Sequence, residues 1–191
     1  HRIGGDRNAP RARRPQRIRD FLLVPTRMLL AAKCQFGDLV GPAHIRRLLI
    51  AREGMAGPRA LADPDGNAVV LVPPGFDGIS QLRVELVVSD LAAHRAFYGT
   101  ALGLPAIDAD TYGCGISQIR LIEGAATCDP EQQARGYRYM TIQVYDVKGV
   151  HAGILARGGG EGRPPVRLGG VAHIPFVRDP DGNWLEISQR K

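Results

Sequence analysis

The sequence predicts an α+β protein, and three observations carry that prediction. A five-residue turn, D-P-D-G-N, occurs twice, at 63–67 and at 179–183, spaced 116 residues apart. An alternating, β-rich run ends twice in an aspartate that opens a helical pattern, at Asp90 and at Asp146. Each helical pattern then stops at a glycine, Gly103 or Gly158, and further strand-like runs follow. Strand, helix and strands in the same order twice over is an internal repeat, and a repeat organises the reading of the rest.

In chain order, residues 1–19 show no hydrophobic period and read as a basic, disordered leader. Residues 20–73 read as an incomplete copy of the later repeat. Its best helical candidate is 43–52, A-H-I-R-R-L-L-I-A-R, with Gly54 placed as a C-terminal cap. A hairpin follows, 60–62 and 68–72 around the first D-P-D-G-N. Residues 74–81, P-G-F-D-G-I-S-Q, form a linker by composition.

The pattern sharpens over 82–191. The run 82–89 alternates as a strand, and Asp90 is a good N-cap for a helix over 91–102. His94, Phe97, Tyr98, Ala101 and Leu102 share one face of that helix. A strand over 116–123 and a loop complete this first unit, 82–125. The second, 136–191, begins with a strand over 137–145 and a helix over 147–157 capped by Asp146. A Gly/Pro-rich loop and a strand over 171–178 lead to the terminal hairpin, F-V-R-D-P-D-G-N-W-L-E-I-S. Pro175 sits inside a strand of that hairpin and removes one ladder hydrogen bond, so a bulge or an exposed edge is required there. The upstream copy has 11 residues between Arg52 and Asp63 where the later one has 22 between Arg157 and Asp179, a shortfall large enough to remove a strand.

Composition narrows the function classes. With 44% hydrophobic and 23% charged residues in 191, the chain can bury a real core. No apolar run reaches membrane-spanning length, so no membrane role is expected. Cys34, Cys114 and Cys128 are an odd number with no C-x-x-C pair, which suits a reducing, cytoplasmic setting. Cys114, between two glycines, is a candidate reactive thiol only if something lowers its pKa. The net charge of +6 is misleading, because seven arginines and two aspartates in the first twenty residues supply +5 of it. That arm has no interleaved aromatics for base stacking, and no nucleic-acid partner is expected.

V-S-D-L-A-A-H-R-A-F-Y-G-T-A-L-G-L at 88–104, a second D-V…H-A…A-R-G-G and the closing R-D-P-D-G-N-W-L-E-I together resemble the vicinal oxygen chelate superfamily. That superfamily holds glyoxalase I, bleomycin- and fosfomycin-resistance proteins, methylmalonyl-CoA epimerase and extradiol dioxygenases. The resemblance implies paired βαβββ modules, 82–125 and 136–191, whose curled sheets close a cup around a small ligand. The residues 20–73 would be the second half of an upstream copy.

Strand parity then assigns the cup-facing side chains. Counting back from the capping aspartates gives Arg83, Glu85 and Val87 on one strand and Tyr139, Thr141 and Gln143 on its counterpart. Gln118, Arg120 and Ile122, then Trp184, Glu186 and Ser188, should also face inward, with Ile174 and Phe176 as an apolar wall. Metal-using relatives hold a divalent ion with His or Glu at slots that fall here on Arg83, Arg120, Tyr139 and Glu186. Only Glu186 is a usual ligand, since arginine has no lone pair to give. Glu85 is a second carboxylate on the same face, but a third donor is missing. His94 and His151 lie on helices, and His173 has the wrong parity.

Two readings of the floor stay open. An Arg–Glu bridge could staple the modules in place of an ion. Alternatively, one arginine pairs with Glu186 and the other takes an anionic ligand bidentately, with Trp184 and Phe176 stacking on its body. The leading expectation is a small-molecule-binding protein whose pocket is lined by Arg83, Glu85, Arg120, Tyr139, Gln143, Phe176, Trp184 and Glu186. Its cofactor is unknown, and a divalent metal is not favoured. The rivals are a metal-dependent lyase, isomerase or ring-cleaving dioxygenase using Glu186, and a non-catalytic module that forms a homodimer.

Overall fold

The computed structural model describes residues 28–31, 45–64, 66–125, 132, 137 and 139–190. The leader expected over 1–19 lies outside them. Both capping aspartates are in place. Asp90 accepts the backbone N–H of Ala93 at 3.0 Å, and Asp146 accepts that of Gly149 at 3.0 Å. They open α1 (Leu91–Arg95), which runs on as a wider π-helical turn over Ala96–Ala101, and α2 (Val147–Ala156). Gly103 and Gly158 follow with φ of +72° and +88°, a conformation that costs glycine no Cβ clash.

Eleven strands are described: β1 (Met28–Ala31), β2 (Ile45–Ala51), β3 (Arg59–Ala62), β4 (Ala68–Val72), β5 (Leu82–Val88), β6 (Thr111–Cys114), β7 (Ser117–Glu123), β8 (Tyr139–Gln143), β9 (Gly160–Leu168), β10 (Ala172–Arg178) and β11 (Trp184–Arg190). They make two mixed sheets. The first has the order β3-β4-β2-β5-β7-β6, the second β1-β8-β11-β10-β9. One hydrophobic cluster takes Val84, Leu86, Val88, Ile119 and Leu121 from the first sheet and Met140, Ile142, Val177, Leu185 and Ile187 from the second. Phe97, Tyr98 and Leu102 join it from α1, and Val150 and Ile154 from α2. A core fed by both sheets and both helices lies between the sheets, so the alternate residues of each strand point away from it on two outer faces. Arg157 ties the helices together by donating its Nε–H to the carbonyls of Thr100 and Ala101 at 3.0 and 2.9 Å.

Two local expectations need correction, and one strand was not foreseen. The segment read as a helix over 43–52 is strand β2, parallel to β4 and antiparallel to β5. Its run Leu48-Leu49-Ile50 fits either period, and pairing with two neighbouring strands overrides the helical spacing of a short segment. Residues 43 and 44 of that segment are not among those described. The Gly/Pro-rich loop before β10 is strand β9, which pairs with β10 alone and so tolerates Pro164 and Pro165 at an edge. The short strand β6 went unread because T-Y-G-C carries no alternation. Pro175 meets its requirement: Ile174 pairs with Val166 and Phe176 with Arg163, so two residues of β9, both prolines, face it across a bulge.

Candidate functional site

On the outer face of the first sheet, adjacent strands bring charged side chains together. Arg83 on β5 is 4% exposed, and its Nε–H donates to Gln118 Oε1 on β7 at 2.8 Å. Gln118 in turn donates to the carbonyl of Gly78 at 2.9 Å. The other edge of the Arg83 guanidinium meets Asp77: Nη1 donates to its carboxylate Oδ2, and Nη2 donates to its backbone carbonyl at 2.6 Å. Arg120 Nη1 reaches the same Oδ2 at 3.4 Å. Two guanidiniums thus converge on one carboxylate oxygen. The hydrogen bond and charge of Arg83 hold the Asp77 carboxyl below the usual carboxylate range.

Asp77 comes from the segment joining β4 to β5. That segment crosses the outer face and is anchored there by Ile79, fully buried against Leu49 and Val72. Asp77 belongs to a single 3₁₀ turn, Phe76–Gly78, and has a left-handed φ of +48°. Beside it, Glu85 is held bidentately by Arg47 of β2, with Nε–Oε2 at 2.5 Å and Nη2–Oε1 at 3.1 Å. The register places Arg47 directly opposite Glu85.

The outer face of the second sheet is aromatic. Phe176 packs edge-on against Tyr139 and against Trp184, with ring centroids 5.5 and 5.8 Å apart. The Arg178 guanidinium lies 3.7 Å from the Trp184 ring centroid and that of Arg163 at 5.5 Å, as cation–π contacts. Gly162, at a second bulge in β9, backs onto the same ring. Glu186 is buried on this face, and burial lifts its carboxyl above the usual range against the lowering pull of Ser188 and Arg190. Burial, reinforced by the charge of Glu186, likewise raises the Tyr139 hydroxyl. Gln143, at the end of β8, has a buried amide nitrogen with no hydrogen-bond partner.

Strand parity therefore reads correctly, but the two sheets divide the eight residues. Arg83, Glu85 and Arg120 share one face, while Tyr139, Gln143, Phe176, Trp184 and Glu186 belong to a different sheet whose outer face points away from them. The expected single floor is corrected on this point, because the two helix-covered faces bury against each other. Neither arginine meets Glu186; their carboxylate is Asp77, and Glu85 belongs to Arg47. Sequence reasoning missed Arg47, hidden in the segment read as a helix, and Asp77, whose only signal was an acidic residue set between glycines in a linker.

Two other candidates are settled by burial. Cys114 is fully buried and its thiol is pushed up to about 12, so it is not a reactive thiolate. His94 is fully buried too. Its Nδ1–H donates to the Asp90 carbonyl at 2.7 Å, which turns Nε2 toward Asp179 at 3.5 Å and Asp181 at 3.4 Å. Tyr98 donates its hydroxyl to the same Asp179 oxygen at 3.2 Å. Burial works to lower the His94 pKa, but Asp179, the Asp90 carbonyl and Asp181 outweigh it and raise the net value. The second D-P-D-G-N turn is thereby a joint between α1 and the second sheet.

Among the described residues no three His, Cys, Asp or Glu side chains come together as a metal-holding group. The first face presents two guanidiniums around its one shared carboxylate, and the second offers Glu186 among aromatic rings. Among the described residues no helix is long and apolar enough to cross a membrane.

Comparison with known proteins places this geometry. Two glyoxalase I mutants from Zea mays superpose with TM-scores of 0.55 and 0.51, at 18% and 21% identity, over 77% and 76% of this chain and 69% and 58% of theirs. A glyoxalase-related enzyme from Fulvimarina pelagi gives 0.45 at 20% identity, over 56% of this chain and 86% of its own. At these identities the likeness is one of fold. A search of curated proteins gave no match. The family profile described as the Glyoxalase/Bleomycin resistance protein/Dioxygenase superfamily matches residues 80–187, more than half of the chain. The two-sheet α+β fold and that match agree, and the chain belongs to the glyoxalase/bleomycin resistance/dioxygenase superfamily.

Proposed function

We propose that this protein binds a small organic anion at Arg83 and Arg120, on the outer face of the first sheet, without a metal ion. The observation that supports it is the convergence of both guanidiniums on the single Asp77 oxygen. Arg83 is held in place by Gln118, so its Nη1–Nη2 edge is oriented before any ligand arrives, which lowers the ordering cost of binding. The guanidiniums present a fork that matches a carboxylate.

Calorimetric titration with benzoate tests this reading. Saturable binding is expected, weakened at least tenfold in Arg120→Gln, which removes a half-exposed side chain outside the core. No heat of binding at millimolar benzoate, or equal affinity in the variant, overturns it. For the metal-free part, micromolar binding of zinc, nickel, manganese or iron(II) that is abolished by Glu186→Ala would be decisive against it.

A further inference from the structure

We infer that Asp77 is a displaceable internal occupant of the anion site, and that the ligand group replacing it is a carboxylate; this rests on the reading above. Arg83 uses three donors. One is committed to Gln118, while the other two meet the carboxylate and the carbonyl of residue 77. When the turn withdraws, Nη1 and Nη2 become a free parallel pair, the arrangement that takes both oxygens of a planar carboxylate, with Arg120 at one of them. Asp77 itself brings only one carboxylate oxygen to that edge, so an incoming carboxylate is the better partner.

The turn is built to move alone. Gly75 and Gly78 flank it with φ of +85° and +74°, and Asp77 between them is the one described non-glycine residue with positive φ. An aspartate tolerates that region at a cost that glycine does not bear. The Asp77 side chain is 55% exposed although its partner Arg83 is 4% exposed. Solvent therefore reaches the acid while the base stays buried, and the ion pair can exchange from its outer side. Ile79 fixes the far end of the segment, so withdrawal involves the 75–78 turn and, beyond the contacts of Asp77, gives up the Gln118–Gly78 hydrogen bond.

The test compares benzoate titrations of the full chain and of Asp77→Asn, Asp77→Gly and Asp108→Asn. Asp77→Gly keeps a residue at ease with the left-handed backbone, so loss of the latch is separated from loss of the turn. Asp108 also places negative charge near Arg120 without bonding to Arg83, and serves as the charge control. Both Asp77 variants are expected to bind benzoate about tenfold more tightly, as when the open arrangement is populated about a tenth of the time in the parent. Asp108→Asn should gain far less. Unchanged affinity in the Asp77 variants, or an equal gain in Asp108→Asn, overturns the latch while leaving the anion site standing. No binding by parent or variants overturns the anion site itself. Tighter binding of inorganic phosphate than of benzoate by the Asp77 variants overturns the carboxylate assignment.

Discussion

The two outer faces stand on equivalent strands yet are satisfied in opposite ways. On the first, each buried charge meets an opposite charge from another segment, Arg83 with Asp77 and Glu85 with Arg47, and the outer partner of each pair is partly solvent-exposed. On the second, Trp184, Phe176 and Tyr139 close on one another and on two guanidiniums laid over the indole. Position for position the repeat places Val70 of β4 where Glu186 stands on β11. The scaffold fixes which residues face outward, and the residue types then decide whether a face can exchange its partner. On the charged face the half-exposed Asp77 carboxylate is the partner a ligand can replace.

The largest blow falls on what the faces share. Leu185→Ala removes a fully buried side chain from the common core and should cost roughly 2–5 kcal/mol in urea unfolding. A loss confined to one sheet would break the two-sheet account. Arg47→Met leaves Glu85 buried without its bidentate partner and should cost about 3 kcal/mol, the low end for such pairs because Arg47 is 39% exposed. This variant should leave the emission of Trp184, the single tryptophan, unaltered. Gly162→Ala does the reverse. Its Cβ would lie 2.8 Å from Trp184 Cζ3 and 3.0 Å from the Phe176 carbonyl, costing about 1–3 kcal/mol and shifting the emission while leaving benzoate affinity untouched.

The smallest effect is a pH dependence at the joint beneath both faces. A folded pKa raised above 6.5 means that His94 adds stability below that value and loses it as pH rises through the folded pKa. His151 is shifted down by burial and works in the other direction as pH falls, so the parent's profile mixes the two. The difference between parent and His94→Gln in urea midpoints isolates the joint: it should shrink as pH rises from 6 to 9. A difference that does not vary with pH would show that His94 is held neutral.

Much of this was legible because it is local. In both D-P-D-G-N turns the asparagine donates its backbone N–H and its side-chain amide to the two oxygens of the first aspartate, each at 2.8 Å. The outcomes differ all the same: Asp179 is buried against His94 and Tyr98, whereas β3 is exposed along its whole length. Turn chemistry sits in five residues, but burial depends on what the rest of the chain brings. The same limit explains the site. Alternation told which side chains of β5, β7, β8 and β11 leave the core, since a period of two is enforced by that core. It could not tell that the two sheets turn their other faces apart, nor that a linker aspartate would fold back onto Arg83.

The most direct test of the central claim watches both faces during one benzoate titration, by the Nε–H resonances of Arg83 and Arg120 and by the emission of Trp184. The account predicts saturable shifts of the two arginine signals with the tryptophan unmoved. A moving tryptophan with stationary arginines would place the ligand on the aromatic face and contradict it.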